Sequence, residues 1–268
     1  FSCVMEVIAQ GGSGLCAPTL ASGKLLVASQ NSGEVLAVEG STLVPIMTCG
    51  APSGLCADGG VLYVCDLAAQ GVLRQENGQL TELVKEYEAK VFKGPTSIVL
   101  DPVGNVFFLD AGPLGETTLQ SPKGSAFQIT ADAQLLQPLA LECLAHPSAL
   151  ALAPDQRTIF VTELLTNRLL RFVQRGGAYH CSVFFQFSGH MGPSGIACDQ
   201  QGTMYVCHYD VASSGTAKGL VSVISPAGKL LREIEAPAPE LTGVTLNAEG
   251  TILYLTESST NTVYGLTL

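Results

Sequence analysis

Two sets of polar residues recur along the chain at spacings that would gather each set into a ring. The first is Ser13, Ser53, Thr96, Ser148, Ser194 and Thr242, separated by 40, 43, 52, 46 and 48 residues. Each opens a similar phrase: Gly12-Ser13-Gly14-Leu15, Pro52-Ser53-Gly54-Leu55, Pro95-Thr96-Ser97-Ile98, Pro147-Ser148-Ala149-Leu150, Pro193-Ser194-Gly195-Ile196 and Leu241-Thr242-Gly243-Val244. Converging hydroxyls would form an uncharged pocket able to bind a polar ligand. Their plainer use is to cap backbone groups at a tight entry turn.

The second set is Ser29, Asp66, Asp110, Glu163, His208 and Glu257, each ending a β-rich run. The carboxylates can build a cation or substrate site, cap turns, or pair with a nearby base, as Glu163 can with Arg168 across a hairpin. His146 and His190 lie just ahead of two hydroxyl phrases, so with His208 three of the four histidines fall in one neighbourhood. His146, His190, His208, Glu163 and Asp110 are therefore the candidates for acid-base work. Ser148 with His146, or Ser194 with His190, would pair a nucleophile with a base, but neither lies in a GxSxG elbow or an ordered triad.

The spacing of the hydroxyl phrases is close to the length of a four-stranded propeller blade. Six phrases predict an all-β, six-bladed β-propeller of antiparallel four-stranded meanders, with residues 1–268 as one domain. After Thr242 the chain is long enough for three strands, and Ser2 to Ala9 has strand composition. The N-terminal strand is thus expected to close the last blade from outside and remove an open edge. In such a meander the start of the first strand and the end of the second lie at the same end, so both polar sets share one face. The connections Ala111 to Gly124 and Tyr209 to Lys218 emerge there too. Thr81 to Lys90 carries Leu83, Val84 and Tyr87 at helical spacing, but its place in the repeat makes it strand plus loop. Asp101, Asp155, Asp199 and Asn247 recur at the opposite end as turn formers.

The run from Leu80 to Lys90 followed by Gly94-Pro95-Thr96-Ser97-Ile98-Val99-Leu100-Asp101-Pro102 and Asn105-Val106-Phe107-Phe108-Leu109-Asp110 resembles the third blade of the senescence-marker-protein/gluconolactonase family. His146 to Phe172 and Gly192 to Cys207 resemble its fourth and fifth blades. The blade repeats are also similar to NHL repeats and strictosidine synthase, so the resemblance specifies fold more closely than activity. It implies a lactonase whose divalent cation is held by a glutamate opening blade one, asparagines opening blades three and four, and an aspartate opening blade five. Ser13, Thr96, Ser148 and Ser194 align with those positions. Uncharged hydroxyls are weak ligands for a hard dication, and the lactonase mechanism uses the metal as Lewis acid and water activator. The expectation is therefore a metal-free protein without cofactor, binding a small polar ligand or a protein partner at the central upper face. The alternatives are a lactonase- or esterase-type hydrolase rebuilt from histidines and carboxylates, and a metal site rebuilt from Asp110, Glu163, His208 and Glu257.

Composition agrees with a large buried core: 47% hydrophobic residues, 13% charged, and 29 glycines for turns. A net charge of -10 without a basic run disfavours nucleic acid as partner. The longest apolar stretch, Leu135 to Ala153, is broken by Pro138, Glu142, His146 and Pro147, which argues against a membrane span. Nine cysteines without a CxxC pair, some at matching strand positions (Cys16 with Cys56, Cys65 with Cys207), read as core thiols of the cytoplasm or another reducing compartment. The chain opens at Phe1 rather than Met, which reads as trimming and leaves a removed targeting segment open.

Overall fold

A computed structural model describes residues 4–212 and 218–268. Every regular element among them is a β-strand. The first strand, β1 (Glu6–Gln10), stands apart from the blade that follows it. Blade one is β2 (Leu15–Ala21), β3 (Lys24–Ser29), β4 (Glu34–Glu39) and β5 (Thr42–Thr48), and blade two is β6 (Pro52–Asp58), β7 (Val61–Asp66), β8 (Gly71–Glu76) and β9 (Gln79–Val84). A small hairpin, β10 (Glu86–Tyr87) and β11 (Lys90–Val91), leads to blade three: β12 (Pro95–Leu100), β13 (Val106–Asp110), β14 (Gly124–Ile129) and β15 (Leu136–Leu144). Blade four is β16 (Pro147–Leu152), β17 (Thr158–Glu163), β18 (Arg168–Arg175) and β19 (Ala178–Gln186). Blade five is β20 (Gly192–Cys198), β21 (Met204–Tyr209), β22 (Gly219–Ile224) and β23 (Leu230–Ala236).

Blade six is β24 (Leu241–Leu246), β25 (Ile252–Glu257) and β26 (Thr262–Thr267), and β1 completes it. Glu6 pairs with Gly265 and Gln10 with Thr262, both antiparallel, so the first strand is the outermost strand of the last blade. The closing strand extends one residue past the expected Ala9; Ser2 and Cys3 lie outside the described residues. These six antiparallel sheets make a six-bladed β-propeller.

Apolar residues fill the spaces between blades because alternate side chains of each strand point to opposite faces. Blade three shows the pattern: Phe108 and Phe127 stack with centroids 5.3 Å apart, and Phe92, delivered by the small hairpin, packs against both. The stretch 79–91 is strand plus hairpin rather than helix. Its turn residues Glu88 and Ala89 adopt φ of 49° and 61°, a conformation usually given to Asn or Gly, which is why the turn is silent in the sequence.

The inner strands approach one another closely around the axis. A Cβ on Gly54 would stand 2.9 Å from the Cα of Ser97, and one on Gly195 would stand 2.9 Å from the Cα of Gly243. Glycine follows the ring hydroxyl in those phrases because the neighbouring blade leaves no room for a side chain.

Candidate functional site: the axial ring and the upper mouth

The hydroxyl ring exists, and its members are joined blade to blade. Ser53 Oγ donates to the carbonyl of Pro95 at 2.6 Å, Thr96 Oγ1 to Pro147 at 3.2 Å, Ser148 Oγ to Pro193 at 2.7 Å, Ser194 Oγ to Leu241 at 2.6 Å, and Thr242 Oγ1 to Leu15 at 2.6 Å. In each case the acceptor is the residue just before the next ring member. The sixth member is therefore the residue after Leu15, and it is Cys16, whose thiol reaches the carbonyl of Pro52 at 3.6 Å.

This corrects the reading of blade one. Ser13 is not in the ring; it lies two residues before Leu15, as Gly50 lies two before Pro52. Its backbone N–H is held by Ser29 Oγ at 2.8 Å, and its hydroxyl accepts from Asn31. Strand pairing gives the same register, since Leu15 opposes Ser29 as Pro52 opposes Asp66 and Leu241 opposes Glu257. The phrase Ser13-Gly14-Leu15-Cys16 mimics Ser53-Gly54-Leu55-Cys56 three residues out of place. Cys16 therefore does not match Cys56, whereas Cys65 and Cys207 do match, opposite Gly54 and Gly195.

Below the ring runs an axial channel of about 440 Å³, lined by the inner strands from Ser53, Thr96, Ser148, Ser194 and Thr242 down to Asp199 and Asn247. The five hydroxyl residues are half-buried and open to it. Cys16 is buried, and burial pushes its thiol up to about 12, so it carries no charge at neutral pH. Asp199 spends its carboxylate on the turn N–H groups of Gln201 and Thr203.

The second polar set also falls where the meander demands, and all six members are buried. Five of them tie down the connector arriving from the previous blade. Asp66 accepts from the N–H of Gly50 and Ala51 and, on its other side, from Ala68 and Ala69, all at 2.7–2.9 Å. Asp110 accepts from Lys93 and Gly94, and burial raises its carboxyl above the ordinary range. Glu163 accepts from Ala145 N–H, Thr166 and Arg168, the last being its partner directly across the hairpin. Glu257 accepts from Glu240, Ser259 and Thr260, and Ser29 serves Ser13. Blades two, three, four and six each carry one acid turned to its own connector, and among the described residues Asp110, Glu163 and Glu257 do not gather as a cation site.

Blade five breaks this rule. His208 stands in the acid's place opposite Pro193, yet it holds no connector N–H. Its Nε2 pairs with Ser222 Oγ at 2.9 Å, while its Nδ1 is buried without a partner among the described residues. Phe187 meets the ring edge-on at 4.7 Å, and the ring of His190 lies 5.7 Å away. Burial, with the nearby His190, lowers His208 to about 4. His190 has a left-handed backbone, φ 51°, and its Nδ1 lies 3.5 Å from Asp210 Oδ2 without forming a hydrogen bond. Strain at a non-glycine residue is concentrated at functional positions. His146, also left-handed at φ 58°, precedes Pro147; it is buried, its Nδ1 is unpartnered, and burial lowers it to about 4. The structure thus brings His190 and His208 together, with Asp210, which the sequence did not single out. A histidine where the other blades carry acids or serine was the available signal.

Residues 17–264 match the family described as SMP-30/Gluconolactonase/LRE-like region. Among curated proteins, the chain is 27% identical over 183 residues to a lactonase, drp35, of Staphylococcus haemolyticus, covering 65% of this chain and 52% of the relative. The drp35 lactonase of a Staphylococcus epidermidis strain is 24% identical over 189 residues, covering 66% and 54%. The chain thus spans about half the length of the curated relatives it matches. Among solved structures, a gluconolactonase from Xanthomonas campestris superposes with a TM-score of 0.83 at 22% identity, covering 98% of this chain and 89% of the other. A calcium-binding regucalcin from Agrobacterium tumefaciens gives 0.73 at 17% identity, covering 97% and 94%. These likenesses establish a shared fold.

Proposed function

The chain belongs to the SMP-30/Gluconolactonase/LRE-like family, and from that premise we propose that it binds a small, uncharged polar molecule in its axial channel without a metal ion. The observation that carries this reading is the commitment of every ring donor to the next blade's carbonyl. A hydroxyl that has given its hydrogen away keeps a lone pair, so the half-buried ring faces the channel as an array of neutral acceptors. Such an array suits a ligand bearing hydroxyl donors, and the channel is of a size that holds small molecules.

A divalent cation does not fit the same positions. With Cys16 in place of Ser13, the family's four ligand positions hold a protonated thiol and three hydroxyls. None supplies the negative charge that offsets dehydration of a hard dication. The lactonases among the relatives make a sugar lactone, which is neutral and carries hydroxyl donors, the natural class of ligand.

A second reading, metal-free hydrolysis of an ester or lactone, draws on the unpartnered imidazole nitrogens of His190 and His208. Calorimetry in chelator with gluconolactone, and with anionic gluconate as the charged comparison expected to bind more weakly, beside a lactone hydrolysis assay, tests both. Binding in chelator without turnover, weakened by Ser194→Ala, is expected. Chelator-sensitive turnover, or calcium binding at micromolar affinity, would overturn the metal-free reading. Chelator-resistant turnover lost in His190→Ala would favour the hydrolase.

A further inference from the structure

The geometry points to a second, off-axis site in blade five, where His208 Nδ1, His190 Nδ1 and the Asp210 carboxylate bind a borderline divalent transition cation such as zinc or copper. It is independent of the axial channel: its residues lie where the connector from blade four enters blade five, and none lines the channel.

Distances carry the case. Two imidazoles bonded to one tetrahedral zinc at ~2.0–2.1 Å place their ring centroids ~5 Å apart and their donor atoms ~3.4 Å apart. The rings of His190 and His208 are 5.7 Å apart, and His190 Nδ1 lies 3.5 Å from Asp210 Oδ2. That last pair has salt-bridge separation but no hydrogen bond, as two ligands sharing an edge of a coordination shell would. Among the described residues both Nδ1 atoms are buried and unpartnered, an expensive state for a polar nitrogen that a bound cation relieves. Beyond the donors, Ser222 Oγ receives the far nitrogen of His208 at 2.9 Å. Metal-bound histidines are oriented by such an outer partner.

Chemistry selects the cation. Two imidazoles and one carboxylate suit zinc, copper or nickel rather than calcium or magnesium. Asp210 is exposed at 43% of its side chain and His190 at 23%, which gives a route of entry to the buried His208. Among the described residues no three His, Cys, Asp or Glu side chains already converge as a finished cage. Closure therefore needs a side-chain rotation of the exposed Asp210, whose Oδ1 accepts from the Val211 N–H at 2.9 Å while Oδ2 faces His190. His208 stands where four blades carry a connector-binding acid and blade one carries Ser29, and this makes the corner differ from its five counterparts.

The test is titration of the metal-stripped full chain with zinc against a competing chromophoric chelator, and with copper followed by electron paramagnetic resonance. The expected result is one equivalent bound, with hyperfine coupling from two nitrogens. His190→Ala, which removes a ligand, should weaken binding by at least the roughly 10–100-fold that loss of an outer partner costs and leave one coupled nitrogen, and Asp210→Asn, which keeps an oxygen donor, should weaken it by about tenfold or more. His180→Ala, at an exposed histidine of the outer strand of blade four, should leave both readouts unchanged. If His208→Ala fails to fold, His190→Ala and Asp210→Asn carry the result. No stoichiometric binding, binding unchanged in His190→Ala, or binding lost in His180→Ala overturns the proposal. Calorimetry with calcium and sugar ligands on the His190→Ala background reports the axial channel alone, so the two readings fail separately.

Discussion

Ser194 Oγ lies 2.6 Å from the carbonyl oxygen of Leu241 in the following blade; a hydroxyl makes the matching bond from blades two, three, four and six, ending with Thr242 to Leu15, and the Cys16 thiol stands in its place in blade one. Blades otherwise meet through apolar faces, which resist separation but tolerate sliding. A ring of directional bonds at the axis fixes their register.

Ser194→Ala leaves a carbonyl near the axis without its donor, which costs about 1–3 kcal/mol. Ser53→Ala should cost the same, as each of the two hydroxyls also serves its own second strand, at Cys207 and Cys65. Urea unfolding of each variant measures this. Unchanged midpoints would show that the hydroxyls serve the channel alone.

Asp66 and Asp110 occupy matching positions with unequal duties: four backbone N–H groups against two. Asp66→Ala should destabilise the fold on the order of 3 kcal/mol, more than Asp110→Ala does, since each bond to a charged acceptor is worth about 1.5–3 kcal/mol and water replaces part of the loss. Comparison of the two variants by thermal melting decides it.

Much of this could be read from residues alone. Pro52-Ser53-Gly54 and Pro193-Ser194-Gly195 signal the ring because proline fixes the entry turn and glycine admits the neighbouring strand, and both constraints are local. Blade one misleads because its ring member is a thiol and its connector carries a decoy serine. The register shows only in three dimensions, in the bond from Thr242 to Leu15, spanning 227 residues, and in the pairing of Leu15 with Ser29. The roles of Asp66 and Glu163 were open for a similar reason. A carboxylate that caps a connector and one that binds a substrate have the same sequence signature, and only the N–H groups around them tell the two apart.

Thiol reactivity should follow burial. Among the described cysteines, all of them free, Cys143 and Cys181 are exposed, while Cys16, Cys65 and Cys207 are buried and burial raises their thiols. In the native protein Cys143 and Cys181 should react quickly with a disulfide reagent, and Cys16, Cys65 and Cys207 should react only after unfolding. Protection of Cys143 or Cys181 would place a partner or a disulfide at the outer strands.

His146 and His208 give the fold a pH dependence whose sign is fixed. Each is lowered from 6.5 to about 4 by burial, so the unfolded chain takes up a proton at higher pH than the folded chain does. Above pH 6.5 both states are neutral at these positions and the full stability is present. As the pH falls from 6.5 towards 4, protons bind the unfolded state first and stability is lost; below 4 both states are protonated and the loss stops growing. By pH 5 the loss is about 2 kcal/mol for each histidine. Urea midpoints at pH 7.5 and 5, in chelator, measure the sum. His208→Gln, which keeps an amide near Ser222 and has no imidazole to protonate, should remove about half the difference. The interval between pH 6.5 and 5 is the informative one, because it lies below the ordinary imidazole range and above the ordinary carboxylate range. A wild-type midpoint flat across that interval would mean that water or a bound group reaches these nitrogens and that their burial does not govern their titration.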